Sequence, residues 1–254
     1  MKRTFTMIAV VAGLAVTTVW AQGPMGMGGP QGGPDSKLAK IFGRNASFSA
    51  TIATTIVSDK GEQMATESTM AMLDGKVRHE MDLTKFQGGK GRQPDMATLK
   101  QMGMDRNIII ARPDKRVTYM VYPGMKAYVE MPMKDTAEKA DAKPPKVERV
   151  ELGKETVDGH PCIKTKRIIT EDSGEKFESL VWEATDLAQF PVQTQHQTDH
   201  GSVTALFKNI NRAKPDAALF EVPEGYKKYS NMMEMMMGGA MPRGGGKAAP
   251  GGEE

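Results

Sequence analysis

Short runs in which apolar and polar positions alternate fill the chain between residues 48 and 210, with turn residues between them. Residues 48–57, "FSATIATTIV", are rich in β-branched side chains and predict a strand, because such side chains pack well on a pleated surface. The turn "SDKGEQ" leads to predicted strands at 64–73 and 77–83, and Asp74-Gly75 between these two is a hairpin signal. Strands at 107–111, 117–122 and 127–131 follow, separated by Pro113-Asp114 and Pro123-Gly124. A second series covers 147–156, 162–170, 176–183, 190–198 and 203–210, punctuated by Asp158-Gly159, Ser173-Gly174 and His200-Gly201. So many strands at short spacing predict antiparallel pairing into one large curved sheet or barrel.

Two segments break the alternation. Residues 94–102, "PDMATLKQM", place a proline in the first helical turn and apolar residues at Met96, Leu99 and Met102, which predicts a short helix that covers one face of the sheet or plugs one end. Residues 134–146 are charged, rich in alanine and ended by prolines, the pattern of a surface excursion or a poorly anchored helix.

The ends have a different texture. Lys2 and Arg3, the apolar run 7–19 and the small residues Val19 and Ala21 form a secretory signal peptide over 1–21. Its apolar run is shorter than the roughly 20 residues of a membrane span, and no later segment resembles one. Residues 22–36 are a Gly/Pro/Met leader and 231–254 a Met/Gly-rich low-complexity tail, both too poor in apolar surface to offset the entropy of ordering. The folded body expected is 37–230, one domain in a periplasmic or secreted location. Loss of Lys2 and Arg3 leaves 32 basic against 31 acidic residues, a balance that makes nucleic acid a poor partner. Cys162 is the single cysteine, so no intramolecular disulfide forms and stability must come from a core.

The 21 methionines are the compositional oddity. Met64, Met70 and Met72 share one parity on their strand, as do His79 and Met81 on the next, so each set projects from one face. Such methionines fill an ordinary core or form an adaptable lining for a ligand. Met232, Met233, Met235, Met236 and Met237 crowd the start of the tail. As soft thioethers they are candidate Cu(I) donors, against the alternatives of low-complexity sequence or a helical extension that docks on the body.

No catalytic signature stands out. G-x-S-x-G, H-E-x-x-H and P-loop motifs are absent from the sequence. His196 and His200 lie about 13 Å apart along a strand, too far to chelate together, and His160 and Cys162 are poorly spaced for one tetrahedral metal. Cys162 reads as a buried small hydrophobe, with a redox role the alternative. "GGKGR" at 88–92 is a basic loop at a cavity mouth or a cradle for an anionic headgroup. No enzyme activity and no cofactor are expected.

Three elements in order carry a family resemblance: "LGKETVDGHPC", "WEATDLAQFP" and "PDAALFEVPEGY". They resemble the DUF4412 domain family, itself similar to the periplasmic lipoprotein-carrier superfamily of LolA, LolB and the RseB sensor domain. The resemblance implies an incomplete antiparallel β-barrel, a half-barrel with a short helical plug and disordered Gly/Met-rich termini, that binds a hydrophobic or amphiphilic, lipid-like ligand. Met64, Met70, Met72, Met81, Trp182 and Phe190 are the lining residues expected. An envelope copper protein using the methionine-rich ends and an adaptor for an envelope protein partner are the alternatives.

Overall fold

The computed structural model describes Phe42 and residues 47–88, 96–133, 146–170, 174, 176–198 and 201–240. The expected signal peptide, the leader, most of the "GGKGR" loop, the excursion up to residue 145, His200 and the tail after residue 240 lie outside the described residues.

Among the described residues thirteen strands form one sheet: β1 Ser47–Ser58, β2 Gln63–Leu73, β3 Lys76–Asp82, β4 Gln87–Gly88, β5 Arg106–Arg112, β6 Val117–Tyr122, β7 Ala127–Pro132, β8 Lys146–Val157, β9 His160–Thr170, β10 Lys176–Ala184, β11 Phe190–Thr198, β12 Gly201–Asn211 and β13 Lys227–Tyr229. The spatial order is β13-β7-β6-β5-β3-β2-β1-β12-β11-β10-β9-β8, with β4 on β2. The chain therefore starts mid-sheet, walks to one edge, crosses to the other at β8 and walks back to β1. All pairs are antiparallel except β13 on β7. Among the described residues the two edges do not pair, so the sheet is open, as the incomplete barrel requires.

Turn chemistry fixes the register. Asp74-Gly75 and Asp158-Gly159 both adopt left-handed conformations at the two central positions, the backbone that a two-residue hairpin needs to match strand twist. Pro113–Lys115 and Pro123–Met125 are single 3-10 turns, and each hands over to the next strand through a left-handed residue, Arg116 or Lys126. Register shifts occur at 49/51 on β1, 182/183 on β10 and 151/153 on β8. Such bulges bend strands, and bending lets one sheet bury residues on its own concave side.

The largest core lies on that side. Phe48, Ala50 and Ile52 of β1 meet Met70 and Met72 of β2, Val77 of β3, Cys162 of β9, Trp182 and Ala184 of β10, Phe190 and Val192 of β11 and Phe207 of β12, with Phe42 among them. A second cluster, Ala71, Leu73, Ile108, Ile110 and Val121, occupies the opposite face and is covered by Phe220. Phe220 closes a 3-10 turn that Asp216 caps through the Ala218 amide. Arg112 pins the same segment by donating to the Phe220 carbonyl at 3.0 Å and to Glu221, while its fork on Asp114 holds that carboxyl down at about 2.

The short helix forms at Met96–Gln101, but it has no buried residue. It is therefore not the plug: the aromatic cluster around Phe42 fills the inner side instead. The helix is followed by Gly103, whose backbone lies so near Gly124 of the β6–β7 turn that a Cβ on either would come within 2.6 Å of the other. The start of the tail also folds. Met232–Ala240 is a helix that docks fully buried Met235 and half-buried Met232 against Tyr122, Ala127, Val129 and Tyr229.

Candidate ligand-binding face

Residues directly opposite one another on paired strands share a face, and the observed registers lay out the inner face as a grid. One row runs Phe48, Met72, Val77, Ala111. The next holds Ala50, Met70, His79 and Ile109, then Met120 and Val129. The third is Ile52, Ser68, Met81, Asn107, the fourth Thr54 and Thr66, and the fifth Ile56, Met64 and Gly88. Both methionine sets expected to share a face on their own strands thus share the same one.

The first row is apolar, whereas the middle rows carry a polar band. Among the described residues, Thr54 Oγ1, Thr66 Oγ1, His79 Nδ1 and Asn107 Oδ1 are buried without a hydrogen-bond partner, one on each of four neighbouring strands. Ser68 Oγ meets His79 Nε2 at 2.9 Å, which leaves Nδ1 as the ring's remaining polar atom. His79 is 1 % exposed, and burial lowers its pKa from 6.5 to about 4. The ring is therefore neutral at physiological pH, able to donate or accept at Nδ1 according to tautomer.

Burying a hydroxyl or amide oxygen unpaired costs about 1–3 kcal/mol, so such atoms are scarce in cores. Four of them lie in one band, bordered by half-buried Met64, Met81 and Ile109, and their hydrogen-bonding capacity is met by no group among the described residues.

The expected lining residues divide. Met64 and Met81 lie beside the polar band, half-buried. Met70, Met72, Trp182 and Phe190 are packed in the main core at no more than 4 % exposure. Trp182 donates its indole N–H to Glu155 at 2.6 Å, so its polar edge is already used. Thr54, Thr66, Ser68, His79 and Asn107 were not expected to act together. The signal was present in parity: Thr66 and Ser68 interrupt the positions that carry Met64, Met70 and Met72.

A charged group extends from the other wing. Glu183 on β10, 2 % exposed, accepts from Arg149 on β8 at 2.6 Å and from Arg167 on β9. The carboxylate is clamped by two guanidiniums, which is how a buried charge is tolerated. Cys162 is buried, donates to the His160 carbonyl at 3.3 Å and has its thiol pushed up by burial, which makes it a poor nucleophile. His160 instead meets Asp186 at 2.8 Å. Among the described residues no group of three His, Cys, Asp or Glu side chains is placed to hold a metal ion, and no helix is long and apolar enough to cross a membrane.

An open groove of about 490 Å³ lies at the β13 edge, lined by Lys227, Tyr229, Asn231, Met233, Glu234 and Met237.

Residues 65–190, from β2 to the first residue of β11, match the model of the family described as "Domain of unknown function (DUF4412)". The three motifs that suggested it have structural work in the fold: Gly153 sits at the β8 bulge, Trp182 and Phe190 enter the core, and Phe220 covers the opposite face. No curated protein matches the chain significantly. Among solved structures it is similar to the MucA/MucB complex of Pseudomonas aeruginosa, at 13% identity and a TM-score of 0.36, covering 73% of this chain and 59% of that one. It is similar to lipoprotein LppX of Mycobacterium tuberculosis at 11% identity and a TM-score of 0.37, covering 71% and 95% of the two chains. A LolA superfamily protein of Nitrosomonas europaea gives 7% identity, a TM-score of 0.35 and coverage of 74% and 95%.

Proposed function

We propose that this is a non-enzymatic binding protein of the cell envelope that holds an amphiphilic, lipid-like ligand on the inner face of its sheet. The observation that carries the reading is the band of four polar atoms unpaired among the described residues, Thr54 Oγ1, Thr66 Oγ1, His79 Nδ1 and Asn107 Oδ1, set in a face whose other positions are mostly apolar, among them Met64, Met70, Met72, Met81, Ile52 and Ile56. The neutral ring of His79 and the absence of an unpaired charge from the band favour a headgroup rich in hydroxyl or amide groups. Apolar ligand surface leaves water at about 25 cal/mol per Å², and the polar band fixes its orientation. The envelope location rests on the signal-peptide pattern in the sequence of residues 1–21.

Native mass spectrometry of the chain purified without detergent from the secretory compartment, followed by solvent extraction, tests the reading. An extractable adduct of lipid mass is expected, and a bare polypeptide mass overturns it. A second reading has its own observation: among the described residues β8 pairs only with β9 and is exposed along nearly all of its twelve residues. With Val147, Val150 and Leu152 uncovered, it is suited to a protein partner that adds a strand. A bare mass together with a co-purifying protein would favour that reading.

A further inference from the structure

The methionines of the last helix do two different things. Met235 is fully buried and Met232 half-buried, and these two dock the helix. Met233, Met236 and Met237 are 67 %, 42 % and 61 % exposed. Met233 is three residues from Met236 and four from Met237, and on a helix it lies between them around the axis, so the three form one patch with Cβ atoms about 5–6 Å from that of Met233. Docking alone does not explain why three thioethers face outward together.

The scaffold under them is fixed. Asn231 Oδ1 accepts the Glu234 amide at 2.8 Å, and the Glu234 carboxylate accepts the Ser230 amide at 2.9 Å and the Ser230 hydroxyl. These bonds cap the first turn, while Met235, seated among Tyr122, Val129 and Tyr229, fixes the rotation of the helix. Met233, Glu234 and Met237 line the groove at this edge.

We infer that Met233, Met236 and Met237 form a binding site for a soft monovalent d¹⁰ cation, Cu(I) or its analogue Ag(I). Thioethers are neutral, polarizable donors that select Cu(I) over the hard ions Mg²⁺ and Ca²⁺. Three flexible bonds in each side chain let the sulfurs converge on one ion from fixed Cβ positions. The helix supplies the pre-organisation that an unstructured methionine run lacks.

The test is competition for Cu(I) between the full chain and a chromophoric Cu(I) chelator under anaerobic, reducing conditions. The wild type is expected to withdraw Cu(I) from the chelator, and the M233L/M236L/M237L variant to bind at least tenfold more weakly. Leucine keeps both the helix propensity and the apolar area, so circular dichroism should be unchanged and a merely greasy patch would survive the substitution. M102L, which changes an exposed methionine elsewhere, is expected to bind like the wild type. A wild type that takes no Cu(I) from the chelator, or a triple variant within tenfold of it, overturns the site.

Discussion

Two ends of the same sheet face handle burial in opposite ways. At one, Phe42, Phe48, Phe190 and Phe207 interlock, with ring centroids 4.7 to 6.0 Å apart and edge-to-face contacts among them. At the other, past Phe48 on β1 and out across the neighbouring strands β2, β3 and β5, Thr54, Thr66, His79 and Asn107 present polar atoms with no partner among the described residues. The aromatic end needs nothing further: its atoms are apolar and in contact. The polar band has sites that a second molecule can satisfy. A sheet that curls on itself supplies one core, and the difference along it separates a part whose contacts are complete from a part whose hydrogen-bonding capacity is unmet among the described residues.

The largest effect expected on that contrast comes from the aromatic end. Phe190→Ala removes a ring that touches three others in the cluster and should cost about 3–5 kcal/mol in denaturant unfolding, the usual range for a buried Phe→Ala. Any ligand adduct should persist in the fraction that remains folded. If Phe190→Ala leaves stability nearly unchanged and removes the adduct, the two ends have been assigned the wrong way round.

The next effect is on pH. The folded pKa of His79, about 4, lies below the 6.5 of an unperturbed histidine. Between those values the unfolded chain binds more protons, so stability contributed by this group is complete above pH 6.5 and is lost as pH falls toward 4. The full loss is about 3 kcal/mol, from roughly 1.4 kcal/mol per pKa unit. His79→Gln should flatten that part of the acid limb, as followed by thermal melts from pH 7 to 4. An acid limb in the variant that overlays the wild type would remove His79 from the buried, neutral role on which the polar band depends.

Much of this fold was legible in the alternation. Strand ends fall within two residues of the expected positions, and Val117–Tyr122 and Phe190–Thr198 coincide with them. Local signals carry such elements: β-branched runs, Asp-Gly turns and Pro-initiated 3-10 turns. β13 was not legible, because three residues pair with β7 only through a contact about a hundred residues away. The helix at Met232–Ala240 was one of the alternatives open for the tail, where glycines argued against it and Asn231-x-x-Glu234, a capping signature, argued for it. The exposed helix 96–101 shows the converse: periodicity located it without saying what it covers. For the site, parity grouped Met64, Met70 and Met72 on one face but did not separate buried Met70 and Met72 from half-buried Met64. Methionine fits both, and the distinction lies in distant partners such as Phe190 and Trp182.

The smallest expected effect is the most discriminating. Thr66 is 8 % exposed, opposite Thr54 on β1, and its hydroxyl has no partner. Thr66→Val keeps the β-branched shape, so packing and strand propensity change little, while the unpaired oxygen is removed. If that oxygen is a cost borne for ligand binding, the ligand-free variant should gain about 1 kcal/mol in chemical unfolding and should also retain less of the extractable adduct than the wild type. A variant that is more stable and keeps its adduct fully would show Thr66 to be an imperfection of the core with no part in binding. Loss of stability would mean that the hydroxyl has a partner in solution. Opposite signs for stability and retention are the result that core packing alone does not produce, since a group that only packs raises or lowers both through the folded state they share.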